Sequence, residues 1–296
     1  MECKICGCKE NKIIYNGVIR DGAIEHYTRD VVKMMQCSSC GVIWHDVIKN
    51  TESYYETEEY RKSLDGAALE EVFYRTYDKE NIDKLRYTGT ELFRGKTICD
   101  IGCGAGAFLD CVAGGAGKTI AIEPSQAFRR VLEKKGYFTF DYAKSAYNDW
   151  MGKIDVITSF DVIEHVEEPE EFILDVYNLL KEGGEGIIGT PTDAPVMRSL
   201  LGEDYERELL FSTQHLWILS EESMKIMAAR CGFRGSDISF KYYQRYGLGN
   251  CFGWLKEKRA RKSITDRFIT PTMDAVWKSE LESQGLSDYI VMYLRK

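Results

Sequence analysis

Two Cys-x-x-Cys pairs, each followed by glycine, open the chain: Cys3-x-x-Cys6-Gly7 and Cys37-x-x-Cys40-Gly41. Such a turn aims two thiolates at one ion, and two of them complete a tetrahedral sulfur site for Zn2+. A closed four-sulfur site leaves no open position for chemistry, so its expected role is structural. Cys8, His26 and His45 stand by as reserve ligands. Further on comes Asp100-Ile-Gly102-Cys-Gly104-Ala-Gly106, with Glu123 beyond it. Glycines placed between a strand and a helix let the backbone approach a ligand closely. A third group is Asp161-x-x-Glu164-His165, with His215 fifty residues later. Acids and imidazoles in this pattern can take a proton or hold a divalent metal.

These groups need elements to carry them. Lys12–Ile19 and Val31–Gln36 alternate like strands of a small ribbon around the cysteines. Residues 50–90 are rich in Tyr, Glu, Lys and Arg, including Tyr54, Tyr55, Tyr60, Tyr74, Tyr77 and Tyr87. Their spacing predicts amphipathic helices that link the ribbon to the rest and could act as a lid. From Lys96 onward strands and helices alternate. Thr97–Ile101, Lys118–Ile122, Phe138–Tyr142, Ile154–Phe160 and Gly186–Thr190 read as strands. Between them Ala107–Ala113, a helix capped by Ser125 and running to Lys135, and Glu167–Lys181 closed by Gly183-Gly184 read as helices. Ser220–Cys231 is a further helix, and Asp237–Tyr246 and Asp288–Arg295 are late strands. This pattern predicts an α/β chain: a Rossmann-like, doubly wound, mainly parallel sheet with a small N-terminal zinc ribbon. The divisions expected are 1–50 for the ribbon, 51–90 for the linker or lid, and 91–296 for the main domain.

Composition narrows the function. The net charge is −8, the opposite of what a free nucleic-acid binder carries. No apolar run approaches the ~18 residues of a membrane span. The N-terminus has no basic stretch followed by an apolar one, so a cytoplasmic setting is expected. Nothing in the sequence fixes an oligomeric state. Ala113-Gly-Gly-Ala-Gly-Lys118-Thr119 mimics a phosphate loop, but Val112 stands where the motif needs glycine, and a strand follows.

Charge chooses between ligands for the glycine loop. A dinucleotide would set its pyrophosphate against the loop, and Asp100 would repel it. S-adenosylmethionine (SAM) has no phosphate. It carries an ammonium and a sulfonium, which a carboxylate favours. Glu123 can accept from both ribose hydroxyls of either ligand, so it supports a nucleoside without choosing.

With these pieces on the page, the chain resembles class I SAM-dependent methyltransferases. The matching segments are ICDIGCGAGAFL, AIEPS, SFDVIEHVEEP, KEGGEGIIGTP and HLWILSEESMKIMAARCGF, in that order. The cysteine knuckles followed by Tyr54-Tyr55-Glu56 and Glu59-Tyr60-Arg61 resemble a bacterial subgroup with a zinc ribbon, many of whose members act on sugars, lipid-linked precursors or secondary metabolites. The resemblance implies that Asp100, Gly102 and Gly104 bind the methionine part of SAM and Glu123 the ribose. It places Asp141 toward the adenine amino group and Phe160 and Asp161 at the pocket mouth. Some O-methyltransferases of quinone biosynthesis, and some RNA-end methyltransferases, hold a divalent metal on a cluster resembling Asp161, Glu164, His165 and His215, although their first acid is usually Glu.

The reading is therefore methyl transfer to a small-molecule hydroxyl, with His165 or His215 as general base. Tyr205, Phe211 and Trp217 offer a cover for the acceptor, and the basic run Lys256–Lys262 could greet a phosphate-bearing one. The rivals are a sugar C-methyltransferase, an NAD-dependent oxidoreductase, and a non-catalytic zinc-ribbon adaptor with a degenerate methyltransferase fold.

Overall fold

The structure is a computed structural model that describes residues 2–45, 56, 70–261 and 264–296. Tyr54, Tyr55, Glu59, Tyr60, Arg61 and Lys262 lie outside the described residues. The strands are β1 (Asn11–Gly17), β2 (Val32–Cys37), β3 (Ile43–Trp44), β4 (Thr97–Ile101), β5 (Lys118–Ile122), β6 (Phe138–Phe140), β7 (Ile154–Phe160), β8 (Leu180–Pro191), β9 (Trp217–Ile218), β10 (Ile238–Tyr243) and β11 (Tyr289–Arg295). The longer helices are α1 (Glu70–Tyr77), α2 (Asn81–Thr88), α3 (Ala107–Val112), α4 (Gln126–Lys134), α5 (Pro169–Leu179), α6 (Pro195–Leu201), α7 (Glu221–Arg230), α8 (Leu248–Glu257) and α9 (Pro271–Ser283). None of the described helices is long and apolar enough to cross a membrane. The chain divides into two compact units. The first comprises Met1–Lys49, Thr190–Ile226 and Phe240–Val291, the second Asn50–Gly189, Met227–Ser239 and Met292–Lys296.

The main sheet has the order β10-β11-β8-β7-β4-β5-β6. The pairs β4/β5, β4/β7, β5/β6 and β7/β8 are parallel. β11 runs the other way: along β8 from Gly183 to just past its end at Thr192, the bonded partner moves back from Lys296 to Asp288. The mixed, mainly parallel sheet expected from the sequence is thus present. β4 and β7 are buried almost throughout, so they lack the alternation of buried apolar and exposed polar residues seen in a half-buried strand. β5 and β7 lie on opposite sides of β4, so chain order reverses there. In open α/β sheets, ligands bind at such a switch point, beyond the carboxyl ends of the strands.

Several boundaries differ from the sequence expectation. α5 stops at Leu179 and β8 begins at Leu180, six residues before Gly186. Leu180 is fully buried and pairs with Ile154, so burial extends the strand through Gly183-Gly184, which had read as a helix stop. β6 ends at Phe140 because Asp141 turns to accept from Ser145 Oγ and the Tyr142 N–H. β10 ends at Tyr243. The next three residues are gathered by the buried Asp288, whose carboxylate accepts from Gln244 Nε2 and from the amides of Arg245 and Tyr246. Ser125 precedes α4 as expected but makes no side-chain capping bond.

In the first unit the four-stranded sheet runs β1-β2-β3-β9. Ile43 and Trp44 pair with Ile218 and Trp217, so the ribbon takes its last strand from far along the chain. Tyr205 and Phe211 are buried among Ile19, Met34, Ile43 and Trp254, and Trp217 is buried in β9. These rings, expected as an acceptor cover, are core. Within the basic run, Arg259 and Arg261 both pair with Glu25, and Lys256 pairs with Asp266.

Candidate cofactor site and metal centre

The glycine loop leaves the end of β4 in the second unit. The Gly102 N–H donates to Ile122 O at 2.7 Å, tying the loop to β5. Gly104 has φ +58°, and a Cβ on it would lie 2.3 Å from Phe73 Cζ. Only glycine satisfies both the left-handed backbone and the aromatic ring pressed against it. Phe73, Tyr74 and Tyr77 of α1 pack with Ala105, Ala107 and Phe128, so this part of the expected lid rests directly on the loop.

Two buried acids face each other across the loop. Glu123 accepts from the Gly104 N–H at 2.8 Å with one oxygen and from the Ser125 N–H at 2.9 Å with the other. Arg129 donates to the main-chain carbonyl of Glu123 at 2.8 Å. Asp100 accepts from Thr158 Oγ1 at 2.6 Å. Burial pushes the Asp100 carboxyl up to about 6; the Lys84 ammonium and the Thr158 bond pull it down, and Glu123 pushes it further up. Lys84 reaches in from α2, its ammonium 5.4 Å from the centre of the Phe160 ring. Phe160 is itself packed against Phe108 and Tyr87. Asp141 follows β6 at the sheet edge, its pKa lowered chiefly by the Ser145 hydrogen bond.

This set fits SAM. A zwitterionic amino acid on a cationic sulfur asks for a carboxylate and an ammonium side by side, and Asp100 and Lys84 supply them. A ribose diol asks for paired acceptor oxygens. Glu123 presents two acceptor oxygens of the kind such a diol would need.

After β7, Asp161 takes a left-handed φ of +57° and its N–H donates to Gly189 O at 3.0 Å. The His165 N–H closes the following turn on Val162 O at 2.9 Å. His165 Nε2 lies 3.9 Å from Oε1 of the buried Glu164. Glu164 and His165 are therefore neighbours in one turn of the second unit, while Asp161, expected beside them, is not in the group of side chains close enough to share an ion. His215 belongs to the first unit, in the turn before β9, where His45 Nε2 lies 3.1 Å from Ser212 O and 3.2 Å from His215 O. His45 thus holds that turn rather than serving as a metal ligand.

The first unit also assembles Cys3, Cys6, Cys37 and Cys40, whose Sγ atoms lie within 4.8 Å of one another. Cys3 and Cys40 are 3.7 Å apart, Cys6 and Cys37 3.4 Å. Four sulfurs set about 2.3 Å from a tetrahedral ion would be spaced about 3.8 Å apart. Both knuckles fold alike: the Gly7 N–H donates to Cys3 O and the Gly41 N–H to Cys37 O. The amides of Ser39 and Cys40 point at Cys37 Sγ. Against burial, these bonds bring that thiol down to about 7. Cys8 lies outside the cluster and faces Glu10. The four thiols could hold a metal ion.

The sheet order, the glycine loop and the paired acids define a class I SAM-dependent methyltransferase fold. The chain matches the methyltransferase-domain family over residues 73–236 and belongs to it. It is 26% identical over 163 residues to the ubiquinone biosynthesis O-methyltransferase of Pseudomonas paraeruginosa, covering 49% of this chain and 70% of that protein. It is 30% identical over 148 residues to the enzyme of that name from Actinobacillus pleuropneumoniae, covering 45% and 62%. The fold is shared with a SAM-dependent methyltransferase from Archaeoglobus fulgidus, with TM-score 0.51, 17% identity and coverage of 76% and 98%. Phosphoethanolamine N-methyltransferase 2 of Haemonchus contortus, in complex with SAM, gives TM-score 0.50 at 17% identity, covering 90% and 64%. The chain is a SAM-dependent methyltransferase.

Sequence reasoning missed Phe73, Lys84 and Thr158. Thr158, a polar residue in the apolar strand β7, was the legible signal. Lys84 carried none, because its role depends on how α2 docks.

The raised pKa of Asp100 has a signed consequence. Between 3.8 and about 6 the folded chain holds a proton that the unfolded chain releases, so stability falls as pH rises through that window. Above it, the buried charge costs on the order of 3 kcal/mol. Asp100→Asn is expected to raise the melting temperature of the ligand-free protein at pH 7.5 and to weaken S-adenosylhomocysteine binding at least ~10-fold. Calorimetry and thermal melts check this; unchanged affinity would remove Asp100 from the site.

Proposed function

We propose that the chain transfers the methyl group of SAM to a hydroxyl of a small-molecule acceptor, with His165 or His215 taking the proton. The observation that carries this reading is the turn after β7: a half-buried imidazole, His165, stands beside the buried Glu164 at the same sheet edge as Asp100 and Glu123. Methyl transfer from a cationic sulfur needs alignment and exclusion of water. A hydroxyl must in addition lose its proton, and an imidazole suits that task near neutral pH. Two relatives named as O-methyltransferases support oxygen as the acceptor atom. On this reading Asp100, Gly102, Gly104 and Lys84 hold the methionine part and Glu123 the ribose. Asp141 lies toward the adenine, and Phe160 and Asp161 form the mouth.

A second reading concerns the same turn. The buried Glu164 beside His165 supports a divalent metal that would orient the acceptor oxygen. The four-thiol centre is proposed to hold structural Zn2+ in an N-terminal ribbon (residues 1–50), followed by a lid (51–90) and the methyltransferase domain (91–296). A ribbon of this kind supports membership of the bacterial subgroup that acts on sugars, lipid-linked precursors or secondary metabolites.

Wild-type protein should bind S-adenosylhomocysteine and not NAD in calorimetry; the reverse result would favour the oxidoreductase rival. SAM consumption over a panel of hydroxylated acceptors should fall roughly 100-fold or more in His165→Ala or His215→Ala with S-adenosylhomocysteine affinity retained. If neither change lowers turnover, both histidine readings fail. Loss of turnover in chelator, restored by a divalent ion, would select the metal reading.

Purified wild type should contain one Zn2+ per chain. Cys37→Ser should lose it and melt at lower temperature, whereas Cys8→Ser should keep both metal and stability. A folded, metal-free wild type would end the zinc assignment.

A further inference from the structure

The carbonyl of Ala105 lies inside the glycine loop, and Ala105 is fully buried. It accepts from two side chains, Lys135 Nζ at 2.9 Å and the Tyr74 hydroxyl at 3.0 Å. The donors also touch each other, with the ammonium 4.8 Å from the centre of the Tyr74 ring. Lys135 ends α4 as its C-cap residue, and its Nζ is steadied by Asp110 Oδ2 at 2.5 Å. The other oxygen of Asp110 accepts from the Tyr137 hydroxyl at 2.7 Å. The end of α4 comes this close because residue 106 is glycine: a Cβ there would sit 2.7 Å from Leu132 Cδ2 and 3.6 Å from Lys135 Nζ.

A carbonyl oxygen has two lone pairs, and both are occupied here. At Gly104, Glu123 grips an N–H of the same loop. The loop is thus held by opposite charges at neighbouring residues, a carboxylate on an N–H and an ammonium on a C=O. Turning the peptide after Ala105 would break both donor bonds and strand a buried carbonyl, and it would also pull the Gly106 N–H from Cys103 O. An unpartnered buried polar group costs more than the bond it lost had contributed. One of the two donors is charged, and charge-assisted bonds are the stronger kind. The loop shape is therefore set from the protein side before any ligand arrives, which lowers the ordering cost of binding.

We propose that Lys135 and Tyr74 are positioning residues for the cofactor: they fix the Ala105 carbonyl so that the glycine loop is preorganised for SAM, and Tyr74 makes that fixing depend on α1 being docked. This rests on the reading of Asp100–Gly106 as the cofactor loop. Lys135 acts through the backbone of the loop. Methionine at 135 would keep the length and apolar stem but remove the donor, and arginine would restore it.

The test uses the full chain, with calorimetry of S-adenosylhomocysteine and hydrogen exchange of the Cys103–Gly106 amides without ligand. Lys135→Met should bind about tenfold more weakly and exchange faster in the loop. Lys135→Arg should recover most of both, and Tyr74→Phe should show a smaller loss of the same sign. Lys134→Met, at the exposed neighbouring position, should change neither. A merely structural lysine would lower the melting temperature and leave affinity and loop exchange unchanged, which would overturn the proposal. If Lys135→Met does not fold, Tyr74→Phe carries the same test. If the wild type binds no S-adenosylhomocysteine, the reading of the loop fails, and this inference with it.

Discussion

Buried at the end of β5, the Glu123 carboxylate accepts from the Gly104 N–H with one oxygen and from the Ser125 N–H with the other. The rest of the site depends on that pair of hydrogen bonds. It joins the loop after β4 to the turn after β5, so two neighbouring parallel strands present their ends as one surface. A buried anion is tolerated only where donors replace its water, and here the donors are backbone amides that the loop must in any case satisfy. Arg129 grips the carbonyls of Glu123 and Pro124 from below, so the acid has little freedom to turn away. α4 starts without a side-chain cap, and the amide of its N-cap residue donates to Glu123.

The first unit answers a different physical problem. A two-stranded hairpin around an ion buries little on its own. In this chain β3 pairs with β9, and the second knuckle is fastened where Ser220 Oγ donates to Cys40 O. Ile19, Val32, Met34 and Ile43 then share one core with Tyr205, Phe211 and Trp254. The thiol centre is consequently a staple within a larger unit. The thiol cluster and part of the 190–226 segment thus lie in one packed unit.

How far this was legible from the sequence follows from the range of each contact. Thr97–Ile101, Lys118–Ile122 and Ile154–Phe160 are found where the apolar runs placed them, because full burial in a parallel sheet leaves a local signature. The cysteine spacing declared the thiol cluster for the same reason. β8 was read too short because Gly183-Gly184 has two local meanings, helix stop or kink in a strand, and only pairing with β7 decides between them. Tyr205 and Phe211 looked like a cover because aromatic rings in an insertion look alike whether they face a ligand or a core. Of the site, the sequence marked Asp100 and Glu123, which are spaced by the βαβ unit itself. It did not mark Lys84, Phe73 or Lys135, which reach the loop from separate helices, and it marked Tyr74 only as one tyrosine of the expected lid.

Asp100 and Glu123 also limit what the loop can welcome. Burial raises the cost of ionising Asp100 directly, and Glu123 raises it further by like-charge repulsion. A neutral nucleoside would leave that repulsion in place. A pyrophosphate would add a third negative charge beside it. On the proposed reading, a ligand bearing an ammonium on one side and a diol on the other would convert the two acids from competitors into separate acceptors, and Lys84 would face the carboxylate that such an amino acid must also carry. A ligand cationic at the amino acid end would relieve that repulsion. The carboxylate two residues before the first glycine therefore favours such a ligand over one that sets a pyrophosphate against the loop.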